Sequence, residues 1–246
     1  NGIELPCTGS YAGGYVEFSA DVTGAAFPVV IDPDFTGGTG DCEVYGQNAT
    51  YATALDNATS SNNTNNYLRV GQTYVSTPLY RVYGAAILFD TSTIGADSTI
   101  TQVNLTLVST ADESNVDFNV VITKFNWSAY VADIGGYRTQ ILTGSYGSTA
   151  DATWRNTSGM SLNTQYTSGN MATDWVNKTG VTYYGLTSDR VKSETTPDDL
   201  EDIKIASGDH TTASYRPKLT VTYTTGGALL KVNMNAQMQN LTGGLN

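Results

Sequence analysis

Ten residues near the C-terminus constrain this chain more than any others. From Leu230 to Gln239, the residues Leu230, Val232, Met234, Ala236 and Met238 alternate strictly with Lys231, Asn233, Asn235, Gln237 and Gln239. A period of two puts an apolar row and a polar row on opposite sides of an extended strand. Just upstream, Arg216-Pro217-Lys218-Leu219-Thr220-Val221-Thr222-Tyr223-Thr224 reads as the closing strand of a domain, and Thr225, Gly226 and Gly227 form a flexible break. A domain that has already closed has no obvious place for one more strand, so the expected acceptor is another copy of the chain. Leu230, Met234, Met238 and Leu241 also fall at helical spacing, among good helix formers. A helix leaves Val232 on the polar side, which makes the strand the preferred expectation.

The rest of the chain is also written for strands. Charged residues make up only 14% of the 246, while Gly and Tyr number 25 and 16, a balance that suits short strands joined by turns. Val16, Phe18, Ala20 and Val22 alternate with polar residues, and Thr23-Gly24-Ala25-Ala26 turns the chain into Phe27–Pro33, so a hairpin is expected here. Two strands alone bury too little to be stable and need others. The polar stretch Asn57–Asn66 reads as a loop. Strands are expected at Tyr67–Gly71, Arg81–Asp90, Ile100–Val108, Val116–Phe125, Tyr183–Thr187, Ile203–Ala206 and Leu219–Tyr223. The one convincing helix is Met171–Asn177, with Ser168-Gly169-Asn170 offering a cap and Gly180 a stop. The expected fold is an all-β, jelly-roll-like β-sandwich with one short helix, an N-terminal hairpin segment and a C-terminal extension strand. Its expected segments are 1–45, 46–225 and 226–246.

A net charge of −11 and a pI near 4.3 oppose association with nucleic acid or anionic membranes, and no apolar run is long enough to span a bilayer. Cys7 and Cys42 both lie in the N-terminal segment, where a secreted chain would pair them as a disulfide staple. Such a bridge would stabilise the fold by roughly 3–4 kcal/mol. A start at Asn1 rather than Met fits a processed secretory chain. Eight Asn-x-Ser/Thr sequons, at Asn48, Asn57, Asn62, Asn104, Asn126, Asn156, Asn177 and Asn240, favour an extracellular or cell-surface address with N-linked glycans. Chance alone yields about half of them in a chain this rich in Asn, Ser and Thr.

A set of these segments, taken in order, resembles the DNRLRE family of extracellular β-sandwich domains, which is related to carbohydrate-binding modules. The matching pieces are Phe27–Pro33, Leu68-Arg69-Val70-Gly71, Arg81–Asp90 continuing through Ile94–Ile100, the segment around Trp175, Ala206-Ser207-Gly208, and Arg216–Val221. The literal Asn-Arg-Leu-Arg-Glu string is absent. The resemblance spans about residues 27–225 and implies a jelly-roll sandwich outside the cell, often within large surface proteins.

Catalytic chemistry finds little support. His210, the only histidine, sits in the polar loop Asp209-His210-Thr211-Thr212. Asp198, Asp199, Glu201 and Asp202 read as a solvated surface loop, since glycoside cleavage needs two carboxylates held across a cleft. Asp32, Asp34 and Asp41 form a weak candidate for Ca2+, which takes oxygen ligands from loops. Trp127, Trp154 and Trp175 are expected in the core rather than on a sugar-stacking platform.

The expected function is therefore structural and not enzymatic: a subunit of an extracellular, pilus-like filament, a homopolymer assembled by donation of the C-terminal strand. A secreted carbohydrate-binding module is the alternative. Burying Leu230, Val232, Met234 and Met238 contributes roughly 6–12 kcal/mol, against roughly 12–24 kcal/mol for ordering about twelve residues. Apolar contact alone loses, so a donated strand must also pair its backbone.

Overall fold

The computed structural model describes residues 7–12, 15–20, 30–38, 40–56, 58–75, 79–125, 152–225 and 232–234, with 7–12, 15–20, 58–60, 125 and 232–234 given by their backbone. In chain order the elements are β1 (Cys7–Ala12), β2 (Tyr15–Ala20), β3 (Val30–Ile31), β4 (Asp34–Thr36), β5 (Cys42–Asn48), α1 (Tyr51–Asp56), β6 (Ala58–Asn62), β7 (Tyr67–Val75), β8 (Leu79–Asp90), β9 (Thr99–Asp112), β10 (Asn119–Phe125), β11 (Ala152–Asn156), β12 (Gln165–Thr167), β13 (Val181–Ser188), α2 (Asp189–Lys192), β14 (Leu200–Ala206), β15 (Lys218–Thr224) and β16 (Val232–Met234).

The architecture is an all-β sandwich made from one curled antiparallel sheet. Strand β8 makes the curl possible. Its first half, Leu79–Tyr83, pairs with β7, and its second half, Ala85–Asp90, pairs with β13. One long strand thus belongs to both layers, with β5 laid along Tyr80–Ala86. From β7 the sheet continues through β14, β9 and β15 to β3 and β4; from β13 it continues through β10 to β11.

The inward rows follow from alternation. Leu219, Val221 and Tyr223 of β15 and Val103, Leu105 and Leu107 of β9 meet Ile87 and Phe89 of β8, Val120 and Ile122 of β10, and Tyr184 and Leu186 of β13 in the main core. A second, smaller core forms where Tyr51, Ala54 and Leu55 of α1 cover Val44 of β5 and Val82 and Ala86 of β8. Those three helical residues fall at i, i+3 and i+4, the spacing of one apolar helix face.

Several local expectations are corrected. The hairpin at the N-terminus is β1–β2, with Ala12 opposite Tyr15, while Val30–Ile31 and Asp34–Thr36 instead join the edge of β15. The reason is visible on β15: Thr222 and Thr220 donate their hydroxyls to Asp32 and Asp34 at 2.8 and 2.6 Å, and Val221 N donates to the Pro33 carbonyl. The polar stretch after Asn57 contributes a strand, β6, paired with β5. The helix expected at Met171–Asn177 is only a 3-10 turn, Thr173–Trp175. Its supposed capping groups are spent on β9: Asn170 Oδ1 accepts from Val103 N, and Ser168 Oγ accepts from Leu105 N. Helix α2 is an addition to the expected elements, and Ser188 caps it by accepting Val191 N at 3.0 Å.

Candidate functional site

The C-terminal strand does form, at Val232–Met234, and it has a partner. It pairs antiparallel with β2 of the same chain, Val232 opposite Phe18, Asn233 opposite Glu17 and Met234 opposite Val16. The expectation that the tail lacks any partner of its own is thus corrected: the N-terminal hairpin and the tail each supply the strand the other needs. Residues directly opposed in such a ladder share a face, so the alternation of β16 matches that of β2, apolar against apolar and polar against polar. The resulting order, β1-β2-β16, is a separate three-stranded sheet with no ladder to the larger one among the described residues. Leu230, Ala236 and Met238 lie outside the described residues.

The acidic run is a solvated loop only in its first half, ahead of β14. Asp198 and Asp199 are exposed, but Glu201 and Asp202 are buried within the strand and serve two different ion-pair networks. Glu201 receives both prongs of Arg190 and also Gln72 Nε2 at 2.6 Å; Gln72 in turn accepts from the Tyr51 hydroxyl at 2.6 Å. This network ties α2, β14, β7 and α1 together.

Asp202 joins a second group. Arg69 Nε stands 3.8 Å from Asp202, its Nη2 reaches Glu113 at 3.3 Å, and its Nη1 donates to the Tyr83 hydroxyl at 3.0 Å. The Arg69 backbone N–H donates to Glu43 at 2.7 Å, and Lys204 pairs with Glu113. Neither Asp202 oxygen has a hydrogen bond, and burial pushes its carboxyl up to about 6, against the pull of Arg69. Burial also raises Glu43 above the usual carboxylate range. Three carboxylates around two cations make a structural knot whose oxygens face fixed cations and a backbone amide. Sequence reading misses it, although Arg69 and Lys204 standing opposite one another across β7 and β14 carry the signal.

The three candidate calcium residues have separate duties. Asp41 is buried, accepting Leu88 N at 3.1 Å and Gly208 N at 2.7 Å, with burial pushing its carboxyl up to about 7. Asp32 and Asp34 are exposed on the β15 edge, and Asp34 also pairs with Lys218. No group of three or more His, Cys, Asp or Glu among the described residues is placed to hold a metal ion.

Cys42 is a free thiol, so the expected bridge to Cys7 is not formed. Its side chain turns into the smaller core beneath α1 and donates to the Glu43 carbonyl, and burial pushes the thiol up to about 11. The Cys7 side chain lies outside the described residues. Trp154 and Trp175 are buried in the main core, leaving neither as a sugar platform; Trp127 lies outside the described residues. His210 sits in its loop, its Nδ1 accepting Thr212 N and its ring against Tyr215. Of the sequons, Asn57, Asn126 and Asn240 lie outside the described residues, while Asn48, Asn62, Asn104, Asn156 and Asn177 lie within them. No helix among the described residues is long and apolar enough to cross a membrane. No family model and no curated protein matches this chain.

Proposed function

We propose that this chain is a structural subunit of an extracellular filament, joined head-to-tail by passing β16 to the β2 edge of a neighbouring copy. The observation that supports this reading is the sheet order: the sandwich ends its ladder on β3 and β15 without the tail, and the tail completes a separate sheet instead. Every register pair that β16 makes with its own β2 is equally available from the β2 of another molecule. Exchange of an identical element between copies preserves those contacts, and a head-to-tail contact of this kind repeats without closing. Backbone pairing along β2 adds the hydrogen bonds that apolar burial alone cannot replace.

The test separates pairing within a chain from pairing between chains. Two single-site variants are made in a Cys7→Ser background, one Glu17→Cys and the other Asn233→Cys, since these positions are directly opposed. Mixed and treated with a short bis-maleimide, they form a covalent mixed dimer if β16 crosses to another copy. Truncation after Thr225 abolishes both the dimer and any fibre seen in negative stain. Monodisperse monomers with no mixed dimer, at concentrations where the full chain is abundant, would overturn the reading.

A further inference from the structure

The described sequons differ in one respect that decides whether a glycan can be attached. Transfer to a folded chain needs a reachable asparagine amide and a reachable hydroxyl two residues on, and a glycan of any origin needs surface room around the asparagine. At Asn48, Asn62, Asn156 and Asn177 the hydroxyl residues are Thr50, Thr64, Ser158 and Thr179, and all four are exposed. At each, the asparagine Oδ1 accepts the N–H of that residue, at 3.2, 3.0, 2.9 and 3.2 Å. Asn104 is different. It stands inside β9, opposite Thr220 of β15, and its side chain makes no such turn. Its Nδ2 donates to the Ser168 carbonyl at 3.2 Å, an engagement that Asn156 and Asn177 share with other acceptors, so the difference lies in the hydroxyl residue. Its hydroxyl partner, Thr106, is only 6% exposed and is held against Thr167 of β12 at 2.8 Å.

We propose that Asn48, Asn62, Asn156 and Asn177 are N-glycan attachment sites and that Asn104 is not. The inference rests on the extracellular address in the proposed function and not on strand donation. The donor is a polyprenyl-phosphate-linked oligosaccharide. Its sugar C1–O bond to phosphate breaks, a C1–Nδ2 bond forms, one amide proton leaves the asparagine, and the lipid phosphate departs. Each asparagine keeps one N–H, which lets Asn156 go on donating to Asn119 Oδ1 and Asn177 to the Val181 carbonyl. Asn62 ends β6 and Asn156 ends β11, both outermost strands of the larger sheet among the described residues. A sheet edge presents unpaired backbone groups that invite wrong partners, and a glycan at each of these ends screens it.

Glycopeptide mass spectrometry on the protein from its native source tests this, with an in vitro arm in which a purified oligosaccharyltransferase and lipid-linked donor act on the full chain, folded or denatured. Glycan is expected at all four positions in native material, with an unmodified Asn104 peptide. In vitro, Asn104 gains glycan only after denaturation. A glycan on native Asn104, or an unmodified asparagine at any of the four, overturns the proposal. If native material is bare while the folded chain is modified in vitro at the four, the address has failed. If the folded chain accepts glycan at Asn104, the geometric argument has failed. Fibre formation enters neither result.

Discussion

Arg190 grips Glu201 with both prongs of its guanidinium, Nε to Oε2 at 2.7 Å and Nη2 to Oε1 at 2.8 Å, on a carboxylate with no exposed surface. Breaking a buried pair strands the remaining charge, at a cost of about 3–5 kcal/mol. Arg190→Met is therefore expected to lower the denaturation midpoint sharply. The double change Arg190→Met with Glu201→Leu recovers a large part of the loss. Urea unfolding of the two variants makes the comparison, and a double change no better than the single one contradicts the account.

The knot around Asp202 makes stability depend on pH. Burial lifts the Asp202 carboxyl from 3.8 to about 6 and that of Asp41 to about 7. Between those limits the folded chain keeps protons that the unfolded chain has released. Stability is therefore greatest below about pH 4 as far as these two groups are concerned. It falls as pH rises through 6 to 7 and levels off above. A tenfold change in proton affinity between the folded and unfolded chain corresponds to about 1.4 kcal/mol. Asp202→Asn removes one of the two titrations, so the fall measured by thermal unfolding between pH 4.5 and 8 becomes shallower. An unchanged slope shows that Asp202 ionises normally in the fold.

Asp41 responds oppositely to the same kind of change. Its two oxygens each take a backbone N–H, from Leu88 and from Gly208. Asp41→Asn turns one acceptor into a donor facing a donor, and an unsatisfied buried group costs about 1–3 kcal/mol. Calorimetry at pH 8 should find Asp41→Asn destabilised while Asp202→Asn is neutral or stabilised.

Gly71 holds φ at +124°, and a Cβ there would sit 2.0 Å from the Glu201 carbonyl oxygen. Gly71→Ala forces β7 away from β14 at the point where both ion-pair networks meet, at a cost of about 3 kcal/mol. Gly169→Ala, with open space around it, shifts stability by less than about 0.5 kcal/mol. Equal midpoints for the two variants would refute the close approach.

Cys42 is predicted to be inert in the folded chain, because the buried thiol is held up near 11 and the thiolate is the reactive form. Iodoacetamide at pH 8 leaves the Cys42 peptide unmodified until guanidinium unfolds the protein. Peptide mass mapping of the native sample reads this directly.

How far the sequence carries the fold depends on where each signal is stored. Strands β9 and β15 are legible because Val103, Leu105 and Leu107, and Leu219, Val221 and Tyr223, alternate against Thr, Asn and Gln in long runs. Helix α1 is not, since four apolar residues among six, one of them the exposed Ala52, are too short a run to single out the buried face. The hairpin's second strand is misplaced because Val29, Val30 and Ile31 form a strand-like apolar run directly after a turn signal. Its true place is fixed by threonine hydroxyls on β15, far away in the chain. The Glu201 and Asp202 networks are hidden for the same reason: a carboxylate looks solvated until the arginine that meets it is known. The tail's strand character is legible, but its partner is not.

The bridge between Val30 and Thr224 sets how the molecule would bear tension. The link to the hairpin enters the sandwich at Val30, and the link to the tail leaves it at Thr224, side by side on neighbouring strands. Where a neighbouring copy holds β16, as proposed, a pull through β2 and β16 enters and exits at a single corner. It peels β3 from β15 one rung at a time instead of sliding whole strands past each other. The rest of the sandwich hangs beside the line of force as a pendant, so the rupture strength of a strained molecule would be set by that one seam.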